Sequence, residues 1–308
     1  MDYSDVSGLV GADSSMGMMS GLPWWGKMGI KMALSRLPMR YGFWRGVGVF
    51  RAGDMDSLEH ALQVFNSHFS RAQSIRSLKK GFIGLELGPG DSLLGGVIAK
   101  AFGAEKTYLI DEENLAIRTP HFYLNAMSVL KRNGMDIPLL SEQATLEDIM
   151  EACHIVYLTK GVQSFRSIPE ASVNFCWSNV VFEHVARKKF PLMMRELRRV
   201  MKQGGVCSHS IDLRDHLSGG LNHLRFSEAV WEHPWMTQSG FYTNRFRFTE
   251  ILDIFEGALF RPVVVNIVRW ESLPLERRQM ADSFRIMEER DLLVKEFEVL
   301  LEIEAEGG

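Results

Sequence analysis

Three groups of residues in this chain have types and spacings suited to chemistry. The first is Glu86, Gly88 and Gly90, within Leu85-Glu86-Leu87-Gly88-Pro89-Gly90-Asp91-Ser92, with Asp111 about 20 residues beyond. The second is the adjacent pair Glu183 and His184. The third is the run His209-Ser210-Ile211-Asp212-Leu213-Arg214-Asp215-His216. Phe82 to Leu87 is a short apolar run ending in Gly-Pro-Gly, which reads as a buried strand entering a tight turn. Glycines at such a turn let the backbone approach a ligand closely. A pyrophosphate site would want Gly-x-Gly-x-x-Gly, but the third position here is Leu93, and the Glu86 carboxylate would repel a pyrophosphate.

A ligand carrying an ammonium group suits Glu86 better. Asp111 ends a second apolar run, Thr107 to Ile110, at a distance that suits a carboxylate accepting from ribose hydroxyls. A nucleoside with a cationic amino-acid tail satisfies both acids, and S-adenosylmethionine is such a molecule. Its expected contacts are Glu86, Leu87, Gly88, Pro89, Gly90, Ser92, Asp111 and the neighbouring Glu112.

Glu-Leu-Gly-Pro-Gly followed by Tyr-Leu-Ile-Asp resembles the first two motifs of class I S-adenosylmethionine-dependent methyltransferases, of the type 11 kind. Ile168 to Phe175 resembles the segment entering that family's fourth strand, and Ser178 to Val185 the segment leaving it. Arg195 to Gly205 resembles the helix and Gly-Gly turn before the fifth. The resemblance spans roughly 81–206. It implies an α/β, Rossmann-like, mostly parallel seven-stranded sheet with helices on both faces. It also implies cofactor contacts at Gln163, Ser178 and Asn179. Asn174 stands where the family usually has Asp, and Gln203 where it usually has Pro.

Methyl transfer from a sulfonium is an in-line displacement, which needs an aligned nucleophile and sometimes a base. The candidates are His184, His209, Asp212, Asp215 and His216. His216 is the favoured base, with Asp212 or Asp215 orienting it. A hydrogen-bonded corner is the equal alternative, and a weak metal site at Glu183, His184 and His209 comes after both. Some O-methyltransferases carry Glu-x-x-Glu-His at this point and bind a divalent ion there. This chain has Val180-Val181-Phe182-Glu183-His184, without the first Glu. A nicotinamide dehydrogenase, a non-methyl or metal-assisted transferase, and a catalytically silent partner subunit are the competing functions.

The elements that must position these residues alternate along the chain. Strands are expected at 82–87, 107–110, 155–158, 173–178, 206–211, 262–268 and 293–303. Helices are expected at 92–102, 146–152, 190–201 and 248–255, the third closed by Gly204 and Gly205. The insertion at about 212–246 is rich in aromatic residues and reads as a lid, with Trp231, Tyr242, Asn244 and Arg245 facing a small-molecule substrate. Residues 1–20 read as a flexible tail, 21–77 as an N-terminal helical cap, and 78–308 as the methyltransferase domain.

Within that cap, Lys27, Lys31, Arg36, Arg40, Arg45 and Arg51 alternate with Trp and other aromatics, with no acid before Asp54. Two helices broken near Pro38 fit this stretch, and a further helix runs from Asp56 or Ser57 to about Arg76. Segment 23–51 is either a lid whose charges face water or a weak membrane-surface contact. The chain has 308 residues and a net charge of −3, which gives no general case for nucleic-acid binding. Its three cysteines are widely spaced and include no CxxC, which fits a reducing, cytoplasmic setting. No apolar run approaches the roughly 20 residues of a membrane span, and the N-terminus lacks a signal-peptide pattern.

Overall fold

The computed structural model describes residues 22–34 and 57–303. The expected tail at 1–20, and the expected second cap helix after Pro38, lie outside the described residues. The sheet strands are β1 (Ile83–Leu87), β2 (Lys106–Ile110), β3 (Ile155–Leu158), β4 (Val173–Asn179), β5 (Met201–Asp212), β6 (Arg261–Arg269) and β7 (Val294–Glu302). They form one seven-stranded sheet in the order β3-β2-β1-β4-β5-β7-β6. The first five run parallel, while β7 is antiparallel to both β5 and β6. The strand order reverses beside β1, between β1 and β4, which is where ligands bind in open α/β sheets.

The longer helices are α1 (Trp24–Leu34), α2 (Leu58–Ile75), α3 (Leu94–Ala101), α4 (Pro120–Arg132), α5 (Leu146–Ala152), α6 (Phe190–Val200) and α7 (Phe248–Gly257). Two cores result, one on each face of the sheet. On one face, Phe65, Phe69 and Ala72 of α2 meet Val97 and Ile98 of α3, and Tyr123, Met127 and Leu130 of α4. On the other, Phe190, Met194 and Leu197 of α6 meet Ile251 and Phe255 of α7. Ser57 caps α2 by accepting from the His60 N–H at 3.4 Å, as its position before the apolar stripe predicts.

Helix α4 is absent from the sequence expectations. Its signal is nevertheless present: Pro120 at the first turn, then buried Tyr123, Ala126, Met127 and Leu130 at helical spacing. Gly204 and Gly205 do not close α6. That helix stops at Val200, with Met201 already extended, and β5 begins there. Gly204 sits at φ +72 inside β5, where the pairing with β4 slips between Val173 and Phe175. The glycines therefore serve a bulge and not a helix cap. Asn174 accepts from the Ile83 N–H at 2.9 Å and ties the start of β1 to β4.

The 212–246 insertion is not an open lid. Leu217, Trp231, Met236, Phe241 and Tyr242 form their own buried cluster, and Trp24, Met28 and Met32 of α1 pack against it. Both lysines of α1, Lys27 and Lys31, are buried, while Trp25 points outward at 64% exposure. The expectation that the cap's charges face water is thus reversed for α1. Among the described residues, no helix is long and apolar enough to cross a membrane.

Candidate active site

The site is assembled at the carboxyl ends of β1, β2, β4 and β5. β1 runs into Gly88 and Gly90, both in the left-handed region at φ +68 and +67. A Cβ on Gly88 would lie 2.6 Å from Val181 Cγ2, so this turn can hold only glycine while it packs on the segment leaving β4. The Gly88 N–H donates to the Ile110 carbonyl at 2.8 Å, and the Gly90 N–H donates to Asp111 Oδ2 at 3.1 Å. Asp111 Oδ1 accepts from the Glu112 N–H at 2.7 Å. Burial raises the Asp111 pKa, and these backbone donors work against that rise. The acid and the glycine turn, read separately from the sequence, are one hydrogen-bonded unit.

The remaining expected cofactor contacts divide. Glu112 is exposed and reaches Lys189 at 2.5 Å, its carboxylate lying over Gly161. Gln163 and Asn179 are exposed at the ends of β3 and β4. Pro89 and Leu87 are buried within the turn. Ser92 is buried, and its Oγ accepts from the Leu94 N–H at 3.1 Å, helping to start α3. Ser178 is closed off: it is 0% exposed, and its Oγ lies 2.8 Å from His209 Nδ1. It is a core residue and not a ligand contact.

Glu86 differs from expectation in charge. It is 4% exposed, and its carboxyl crowds Gly95 in the first turn of α3, where any Cβ would collide with it. Burial raises its pKa to about 8, opposed by a hydrogen bond from Trp177 and reinforced by Asp111. Burial therefore favours the protonated form of this carboxyl over the ionised one. Between about pH 4.5 and about pH 8 only the unfolded chain ionises Glu86, so its contribution to native stability falls as pH rises across that window. Relative to Glu86→Gln, the wild type is expected to lose on the order of a few kcal/mol from about pH 5 to about pH 9. Paired melting curves check this. A constant difference between the two proteins across that range would mean that Glu86 is already ionised when folded.

At the ends of β4 and β5 the expected catalytic residues also separate. His209 is fully buried, with its ring 4.4 Å from that of Phe182, and burial holds its pKa down to about 3. It cannot reach an acceptor. Asp212 is occupied by Arg214, with Oδ2 2.7 Å from Nη2. Asp215 accepts from the N–H groups of Leu217, Ser218 and Asn222 at 3.0, 2.6 and 2.7 Å. Burial alone would raise its pKa, but His223 and those backbone donors reverse this and hold it low. Neither Asp orients His216, because each closes its own local turn.

His184 and His216 do come together, with ring centroids 4.7 Å apart. His184 Nδ1 donates to the Tyr242 carbonyl at 3.2 Å. His184 is exposed by surface area, yet desolvation by the surrounding protein, and secondarily His216, lowers its pKa to about 3. Glu183 lies beside them, 2% exposed; burial, and secondarily Asp212, push its pKa up, opposed by the backbone N–H groups of Glu183 and Asp212 and by Arg214. Lys31 Nζ of α1 donates to the His216 carbonyl at 3.0 Å, so the cap reaches the same corner.

The four expected substrate contacts are buried supports of this corner. Asn244 Nδ2 donates to the Phe182 and Val185 carbonyls at 2.7 and 2.9 Å, and its N–H donates to that of Glu183 at 2.7 Å. It therefore pins the Glu183–His184 turn from both sides. Tyr242 donates its hydroxyl to Glu232, Trp231 donates Nε1–H to the Thr243 carbonyl, and Arg245 donates to the His223 and Phe226 carbonyls. Sequence reasoning gave Lys31 to the cap but not to this corner, and missed Arg247. The second is fully buried and donates to the carbonyls of Leu213, Leu292 and Val294.

Residues 85–208 match the family model described as methyltransferase domain. The match runs from β1 to the middle of β5, within a seven-stranded, mostly parallel sheet of the Rossmann-like kind. No curated protein sequence matches the chain. Among solved structures, it is similar to Haemonchus contortus phosphoethanolamine N-methyltransferase 2 in complex with S-adenosyl-L-methionine. The two are 12% identical with a TM-score of 0.45, over 96% of this chain and 61% of that one. It is also similar to a SAM-dependent methyltransferase from Archaeoglobus fulgidus, at 10% identity and TM-score 0.43, over 80% and 94% of the two chains. A third is the arsenic(III) S-adenosylmethionine methyltransferase of Chlamydomonas reinhardtii, at 12% identity and TM-score 0.44, over 80% and 74%. At such identities the likeness is one of chain path and carries no substrate.

Proposed function

We propose that this chain transfers the methyl group of S-adenosylmethionine to a small-molecule acceptor bound over the ends of β4 and β5. The observation that carries this reading is the hydrogen bond from the Gly90 N–H to Asp111, which joins a ligand-approachable turn to a carboxylate placed for ribose hydroxyls. Gly88 and Gly90 would admit the cofactor's amino-acid portion against the backbone, with Gln163 toward the adenine. The acceptor's lone pair attacks the methyl carbon, the carbon–sulfur bond breaks, and S-adenosylhomocysteine leaves as a neutral thioether. A protonated oxygen or nitrogen acceptor also gives up a proton, which passes to His216 or to solvent. The protein's part is alignment and exclusion of water. Asn244 and Tyr242 fix the Glu183–His184 turn, and Trp24, Met28 and Met32 of α1 pack on the neighbouring cluster of the insertion.

Calorimetry with S-adenosylmethionine and, separately, with NADH tests the cofactor. Transfer of labelled methyl to small molecules from a cell extract tests the reaction. Saturable binding of the sulfonium compound with no NADH binding is expected, together with label in a low-molecular-weight product. Binding of NADH alone would replace the reading with a dehydrogenase. Cofactor binding with no labelled product from any extract would favour a silent partner subunit.

A further inference from the structure

We propose that Lys27 of α1 binds an anionic group of the acceptor, a carboxylate or a phosphate. The proposal names the acceptor's chemical class, and for its role it rests on the methyl-transfer reading. What carries it is a buried ammonium with no acid to meet. Lys27 is 7% exposed, and among the described residues its side chain has no hydrogen bond or ion pair. A lysine head offers three donors and no acceptor, so burying it without a partner is costly.

The helix that holds it is built back to front. Trp24, Lys27, Met28, Lys31 and Met32 recur at helical spacing and form its inward face, and the Trp and both Met pack on the cluster of the insertion. The outward face carries Trp25, Gly29, Ile30 and Ala33, all exposed. An amphipathic helix on a protein surface normally shows the reverse. Lys31 accounts for its own place: its Nζ donates to the His216 carbonyl at 3.0 Å and ties α1 to the loop leaving β5. Lys27 stands on the same face one turn earlier, about 6 Å along the helix axis at 1.5 Å per residue. Its stem could cover apolar surface while the head reached water, as surface lysines do, but its low exposure argues against that use.

The acids of the insertion nearest this face are already engaged. Asp215 accepts from the N–H groups of Leu217, Ser218 and Asn222, and Glu232 accepts from the Tyr242 hydroxyl at 3.0 Å. Cations collect instead. The Arg225 guanidinium lies 5.1 Å from the centroid of the Trp24 ring, and buried Arg245 lies 5.3 Å from that of Trp231. A surplus of positive charge under α1 favours an anion there and disfavours an ammonium-bearing acceptor. An acid group fixed by Lys27, beside the loop that carries His216, would orient the rest of the acceptor toward the ends of β4 and β5.

The full chain is titrated by calorimetry with inorganic phosphate and, separately, with acetate, in buffer free of both. Saturable binding of at least one is expected. Lys27→Met is expected to weaken it by at least about tenfold, and Lys27→Arg to retain it. Lys202→Met, at the exposed start of β5, removes a charge elsewhere and is expected to bind as the wild type does. Melting curves in the same buffer report what Lys27 does in the empty chain. A buried charge without a partner opposes folding, so Lys27→Met is expected to melt at or above the wild-type temperature. The bound anion is expected to raise the melting temperature of the wild type and not that of Lys27→Met. Absence of saturable anion binding to the folded wild type overturns the proposal, as does undiminished binding in Lys27→Met. A Lys27→Met protein that melts well below wild type, or does not fold, makes Lys27 a structural group and also overturns it. S-adenosylmethionine is titrated into the same samples, and its affinity is expected to be equal in wild type and Lys27→Met. A matching loss would assign Lys27 to the cofactor's own carboxylate and overturn the acceptor assignment. Anion binding without cofactor binding supports the subsite and overturns the methyl-transfer reading, whereas cofactor binding without anion binding overturns the subsite alone. In the labelled-methyl assay, a product retained by an anion exchanger at neutral pH supports the proposal, and a product with no anionic group overturns it.

Discussion

Replacing Asp111 with Ala is expected to weaken S-adenosylmethionine binding by roughly 10- to 150-fold, on the order of 1.5–3 kcal/mol, the worth of hydrogen bonds to a charged group. Two effects combine. On the proposed reading the ribose hydroxyls lose their acceptor, and the glycine turn loses its anchor, because Asp111 also takes the N–H groups of Gly90 and Glu112 at 3.1 and 2.7 Å. Asp111→Asn separates them. Asn retains one carbonyl oxygen for the turn but gives up the charge, so it is expected to fall between wild type and Ala in affinity while melting close to wild type. Calorimetry on both variants, with melting curves alongside, measures the two parts. Wild-type affinity in a folded Asp111→Ala protein would remove this acid from the cofactor site. A loss confined to the melting temperature would make Asp111 a structural brace for Gly90 and nothing more.

That pairing shows why the geometry of the glycine turn and of Asp111 was legible in the sequence. Gly88 and Gly90 sit at positive φ where a strand must turn sharply. Glycine after an apolar run announces such a turn whatever the rest of the chain does. Asp111 closes the next strand, so its place follows from strand length and parallel order. The expected strands were found for the same reason: short apolar runs bounded by breakers have few alternatives. Readings elsewhere failed where one residue type serves two purposes. Gly204 and Gly205 follow a helix and look like its cap, but β5 begins at Met201, and they relax a bulge instead. Asp212 and Asp215 flank His216 in sequence and look like its orienting acids. A short carboxylate also finds nearby backbone N–H groups or a neighbouring guanidinium, and here those win. Aromatic spacing in the insertion gave ring density but not direction. Trp231 and Tyr242 turn inward to a cluster completed by α1, a partner some 200 residues away that no local pattern reveals. Lys27 and Lys31 were misread for the same cause, since their burial depends on what α1 lies against.

Replacing Arg247 with Met is expected to destabilise the fold by roughly 3–5 kcal/mol, the range for breaking a buried, hydrogen-bonded charge. Arg247 is 0% exposed. One guanidinium nitrogen donates to the Leu213 carbonyl at 2.8 Å, and another to the carbonyls of Leu292 and Val294 at 3.2 and 2.7 Å. Burial lowers its pKa to about 10, with Asp291 and Glu250 opposing, so the group remains charged at neutral pH. Met fills similar space but leaves three interior carbonyls without this donor. For a chain of this size the melting temperature should fall by on the order of 10 °C. Lys keeps the charge without the planar fork, so it can serve one or two of the carbonyls and should recover only part of the loss. The effect also has an address. Leu213 is where β5 ends and the chain turns toward His216, while Val294 opens β7 alongside. Arg247 therefore clamps the base of the loop that carries His216, one of the two paired histidines. In an Arg247→Lys protein that still folds, the loop should open more often, seen as faster amide hydrogen exchange at 213–217 than in α3 or α6. A melting temperature within about 2 °C of wild type in Arg247→Met would show that water or neighbouring groups replace the guanidinium, and that the β5 loop is held by Asp215 alone.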